Sequence, residues 1–201
     1  MGKASRRKLE KSALKAEKTL WIDTLTQEEK VIARVSQAAY ENIVLGLGMT
    51  EGCYNLAFFL YEHLRFKYGI SVKVVIGWIN DGLWAGASSH AWVEYQGKKI
   101  DISLNKTSHP EVQPSGDLII LDHIVEKGSA KYTYWESLPE ASKKALDLIA
   151  EENPKLAILI KHKDVEHNRM IKLSESQVGA DEYFRSVPPN NRYEALARIV
   201  G

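Results

Sequence analysis

The chain has 201 residues, 44% of them apolar, which suffices for one well-buried core and is short for two domains. Its net charge is +1, so no overall field selects nucleic acid or membrane as a partner. A single cysteine, Cys53, excludes an intramolecular disulfide, no apolar run approaches the ~20 residues of a membrane span, and no signal-peptide-like apolar stretch follows the basic amino terminus; a reducing, cytoplasmic setting is the expectation.

The charge is uneven along the chain. Residues 1–18 hold seven Lys/Arg against Glu10 and Glu17, a net +5 that leaves the remainder at −4. This predicts a basic helical extension over residues 1–25, ahead of one domain over 26–201. The bland reading of the arm is a solvated tail. The other is weak contact with nucleic acid or an anionic surface through residues 1–18. Leu20, Trp21 and Leu25 mark where it begins to touch the body.

Thr26 and Glu29 form a capping-box pattern that opens a helical run through Val31, Ile32, Val35, Ala38 and Ala39, stopped by Gly46 and Gly48. Thr50 is the expected cap of the next helix. That helix carries Leu56, Phe59, Leu60 and Leu64 as an apolar stripe, ends at Gly69 and has Cys53 in its first turn. Ile70–Ile79 is β-branched and reads as a strand, "NDGLWAGAS" as a loop. "DLIIL" (117–121) and "KYTYW" (131–135) are further strands, with a Pro-containing loop over 105–116. Ser137 and Glu140 suggest a second capping box, opening a helix that stops before Pro154. Residues 155–162 read as a strand or a buried helical turn, and 192–200 as a closing helix.

The informative stretch is "SSHAWVEYQGKKIDIS", Ser88 to Ser103. Gln96-Gly97 as a two-residue turn sets Tyr95 opposite Lys98, Glu94 opposite Lys99, and Val93 opposite Ile100. One face then carries Ala91, Val93, Tyr95, Ile100, Ile102 and Leu104, and is the core face. The other carries His90, Trp92, Glu94, Lys99, Asp101 and Ser103. His90 and Asp101 become diagonal neighbours, close enough for a carboxylate to orient an imidazole. A one-residue slip would send every side chain to the wrong face.

Such a pair alone is as often structural as functional. Cys53 sharpens it, because a thiol in the first turn of a helix lies at the positive end of the helix dipole, which favours the thiolate. Cys53 as nucleophile, His90 as base and acid, and Asp101 as orienter make a triad, 37 and 11 residues apart. Substrate contacts are expected from Trp92 beside His90, and from Trp84 and Asn42. The second oxyanion donor is left among Asn42, Tyr40 and the Trp84 loop, with the Cys53 N–H as the first.

"EGCYNLAFFLYEHLRFKYGISVKVVIGWI" followed by "SSHAWVEYQGKKIDIS" resembles the core of the transglutaminase-like superfamily, over about Thr50 to Ser103. The short His-to-Asp gap is most similar to its lasso-peptide leader-peptidase branch. The Cys-x-Glu-x-Asn pattern of the related arylamine acetyltransferases is absent: here Cys53 is followed by Tyr-Asn-Leu-Ala. The resemblance implies an α+β, papain-like fold with a Cys-bearing helix on an antiparallel sheet. It also implies thiol-dependent acyl chemistry without cofactor or metal. Hydrolysis of a peptide or other amide is favoured. A transglutaminase or acyltransferase with an amine acceptor is the alternative, and a silent binding module working through the basic arm is the non-enzymatic one. Two weaker signals are set aside. "GLGMTEG" lacks the Gly-Lys-Ser/Thr of a phosphate loop, and His162 and His167 lack the partners of a zinc site.

Overall fold

The computed structural model describes residues 20–201, so the arm of residues 1–18 lies outside the described part. Residues 20–24 are helical, and Trp21 stacks on His123 with ring centroids 4.2 Å apart. Leu25 is buried there, while Leu20 is exposed.

The capping box forms as read: Glu29 N–H donates to Thr26 Oγ1 and Thr26 N–H to the Glu29 carboxylate, starting α1 (Gln27–Ala39). The helix widens into a π-helical segment, Tyr40–Gly46, and Gly48 turns the chain away at φ +67°. Helix α2 (Cys53–Tyr68) follows and ends on a left-handed Gly69, the cap expected of a residue without Cβ. Its start differs from expectation. The N-cap is Gly52, not Thr50, and no side chain caps it.

The strands are β1 (Lys73–Asn80), β2 (Ser88–Tyr95), β3 (Lys98–Asp101), β4 (Leu118–Ile120), β5 (His123–Glu126) and β6 (Thr133–Trp135). Among the described residues they form one antiparallel sheet in the order β5-β4-β3-β2-β1-β6. The Gln96-Gly97 turn sets the register as read, with Val93 opposite Ile100 and Tyr95 opposite Lys98; both turn residues have positive φ. Strand β5 is an addition, since the sequence around His123 reads as loop.

The sheet is curled. Tyr134 on β6 hydrogen-bonds Asp101 on β3, across β2 and β1. In a flat sheet those strands would stand about 14 Å apart, at ~4.8 Å per strand. One face, with Ala91, Val93 and Ile100, packs on Leu56, Phe58, Phe59 and Leu60 of α2 to make the core. Each such side chain contributes about 1.5–3 kcal/mol by leaving water. The concave face holds His90, Trp92, Lys99, Asp101 and Tyr134. Curling brings the Trp92 ring down on Gly77, where an added Cβ would stand 2.4 Å from the Trp135 carbonyl and 2.5 Å from the Trp92 ring. Gly77→Ala is therefore expected to destabilise by at least ~1–3 kcal/mol, measured by urea unfolding; a neutral result would mean the curl relaxes freely.

The remaining helices are α3 (Glu140–Glu152), α4 (Pro154–Ser174), α5 (Gln177–Ser186) and α6 (Tyr193–Val200). The Ser137 cap is not used: Pro139 precedes α3 without a side-chain bond. Residues 155–162 are neither strand nor buried turn. They are the largely exposed first turns of α4, which Asn153 caps and Pro154 starts. Helix α5 was not foreseen. The chain is thus α+β, and no described helix is long and apolar enough to cross a membrane.

Candidate active site

His90 and Asp101 meet. Nε2–H of His90 donates to Asp101 Oδ2 over 2.7 Å, and both side chains are buried. The adjoining strands β2 and β3 fix this, because the tight turn leaves the pair little freedom of register. Asp101 has four donors in all. Oδ2 also accepts from Tyr134 Oη at 2.9 Å, and Oδ1 accepts from Ser103 N–H at 2.9 Å and Ser103 Oγ at 2.8 Å. A carboxylate with four donors is held ionised. Burial opposes its charge, but His90 and Ser103 outweigh burial and keep Asp101 below the usual carboxylate range.

The same balance acts on His90. Burial, the largest influence, disfavours the imidazolium; Asp101 and Cys53, by charge and by hydrogen bonding, together overcome it and push the group up to about 10. With Nε2 committed to Asp101, Nδ1 is the nitrogen left for the Cys53 thiol. Cys53 is half-buried at the first position of α2. No side chain caps that helix, so the Tyr54 and Asn55 N–H groups lack the partner a Ser or Thr would supply, and the Cys53 N–H, at the first helical position, has no acceptor within the helix.

Cys53 and His90 open onto a cleft of about 390 Å³ between the rim of the sheet, the 81–87 loop and the hairpin of α3 and α4. Trp84 lines it. Its ring packs against Gly86, leaving no room for a Cβ there, and Asn80 holds the loop through hydrogen bonds to the carbonyls of Trp84 and Gly86. Trp92 is placed differently from expectation. It is buried behind His90, its ring 6.4 Å away and nearly parallel, with Nε1–H donating to Glu94. It supports the imidazole and does not line the cleft. Asn42 is exposed on the π-helical segment and also absent from the lining. Tyr40 is committed elsewhere, to Asn105. Of the proposed second oxyanion donors, only the Trp84 loop lies at the cleft.

The roles of three side chains, Tyr134, Lys99 and His167, were missed. Tyr134 reaches Asp101 only because the sheet curls. Lys99 Nζ sits 3.5 Å from the centre of the Tyr134 ring and covers the concave face from solvent. His167 is no solvated histidine either: it is buried, its ring 4.3 Å from that of Trp78, and it hydrogen-bonds Ser89 Oγ. Among the described residues no group of three or more His, Cys, Asp or Glu is placed to hold a metal ion.

Comparison with known proteins adds no relative: no family model, no curated protein and no solved structure matches this chain.

Proposed function

We propose that the chain is a thiol-dependent acyl-transfer enzyme with a papain-like, transglutaminase-like core, and that it hydrolyses a peptide or other amide. The observation that carries this reading is the buried His90–Asp101 pair facing a cysteine at an uncapped helix start. A structural ion pair has no need of a half-buried thiol at the same cleft.

The reading implies the following steps. Cys53 Sγ, as thiolate, adds to the carbonyl carbon. The developing oxyanion takes the Cys53 N–H, with the helix dipole behind it. His90 then gives its proton to the departing amine nitrogen, the C–N bond breaks, and a thioester remains. Water attacks the thioester while the neutral imidazole takes its proton, and the Cys53 thiolate leaves. Replacing water by an amine would make the same site a transferase. Asp101 keeps the ring in the tautomer that presents Nδ1 to sulfur and stabilises the imidazolium.

Iodoacetamide tests the first premise. Cys53 is expected to be alkylated readily at pH 6, where an ordinary thiol with a pKa of about 8.5 scarcely reacts, with mass spectrometry locating the adduct. Reaction only in the alkaline range would leave a structural cysteine and defeat the proposal. A positive result makes Cys53→Ala the inactive control for a screen of peptide and amide substrates.

A further inference from the structure

The cleft is built asymmetrically. Its walls are Trp78 and Trp84 on the sheet side, Leu104 beside Ser103, and Leu146, Leu159 and Ile160 from the α3–α4 hairpin. Helix α4 packs against α3, α5 and β1. His167 holds it on the sheet through Trp78 and Ser89, and Leu159 and Ile160, about two turns earlier, line the same cleft as Cys53. Leu159 is 51% exposed and Trp84 40%, so two large apolar groups face water at the mouth of the site. The charges at the rim are of both signs, Lys106 and Lys163 against Glu51, Asp164 and Glu166. Its volume is that of a small-ligand pocket, at the low end of the usual range of about 300–1,000 Å³.

We propose that this chamber takes a bulky apolar side chain, aromatic or branched aliphatic, of the residue whose carbonyl Cys53 attacks, with Trp84 and Leu159 as its specificity-determining walls. The assignment rests on the acyl-transfer reading. It places the side chain on the acyl part for a chemical reason. The amine leaves after the first step, whereas the acyl group stays through both, so binding energy spent on it serves acylation and deacylation alike. Trp84 is suited to the task because its loop is tied to Asn80 and its ring rests on a glycine, which makes the wall preformed.

Chloromethyl ketones of N-acetylated Phe, Leu, Gly, Lys and Glu test this on the full chain; each alkylates Cys53 with loss of chloride. The Phe and Leu reagents are expected to inactivate the thiol at least about tenfold faster than the Gly reagent. Leu159→Lys and, separately, Trp84→Ala should shrink that ratio. Leu159 is half exposed, so its replacement leaves the core intact. A Gly reagent as fast as Phe, with iodoacetamide alkylation still dependent on His90, overturns the chamber assignment and leaves the acyl-transfer reading standing. Preference for Lys overturns it too and transfers the selectivity to the cleft carboxylates Glu51, Asp164 and Glu166. Alkylation indifferent to His90 overturns both.

Discussion

His90→Ala is expected to lower the free energy of unfolding by about 3–5 kcal/mol and to slow alkylation of Cys53 at pH 6 to the rate of a free thiol. Two effects in one variant follow from where the imidazole sits. Asp101 is fully buried and anionic, and His90 is the positive partner at 2.7 Å that offsets the loss of hydration. Tyr134 and Ser103 still donate to the carboxylate after the substitution, but neither carries charge. Cys53 loses its imidazolium at the same time. Cys53→Ala should cost far less, because a half-buried side chain is shortened while the ion pair is kept. Denaturant unfolding of the two variants side by side separates these cases. Equal losses would mean that the pair is not the electrostatic keystone described here. His90→Gln, which retains a donor to Asp101, supplies the reactivity measurement should the alanine variant be too unstable.

The pair was legible in the sequence because its geometry is local. A two-residue turn at Gln96-Gly97 and the period-two alternation of a strand put His90 and Asp101 on one face without any knowledge of the fold. Cys53 was legible through its place ahead of an apolar helical stripe. What escaped depends on long-range form. Tyr134 lies 33 residues beyond Asp101, and only the curl of the whole sheet joins them. The alternation does not say whether the polar face looks to solvent or into a concavity, so Trp92 was assigned to substrate when it is a buried support. Asn42 was misplaced because the π-helical segment turns it outward, an irregularity with no simple sequence mark. Helix α4 shows the converse. Its apolar residues over 156–160 suggested burial, yet Leu156 and Ile158 are exposed and only Leu159 and Ile160 of this run line the cleft.

Asp101→Asn should abolish low-pH reactivity while keeping the shape of the site, and is expected to cost on the order of 10⁴ in kcat once a substrate is found. The amide has nearly the volume of the carboxylate but no charge, and its NH₂ would face a donor where Oδ2 now accepts from both His90 and Tyr134. Burial, the largest influence on His90, is then opposed by Cys53 alone and favours the neutral ring. Stability against pH gives an independent reading. The folded-state value of His90, about 10, stands above the unfolded value of about 6.5. Its contribution is therefore complete below about pH 6.5, declines as pH rises from there, and is gone above about 10. Asp101, depressed in the folded state, contributes above its unfolded value of about 3.9 and loses that contribution as pH falls through the acid range. The wild-type protein should thus weaken steadily from pH 7 to 10. In Asp101→Asn the imidazole is already neutral across that interval, so the same titration should be nearly flat. A wild-type curve as flat as the variant's would mean that His90 is neutral in the resting protein, and that the proton it gives to the leaving group must come from Cys53 during the reaction.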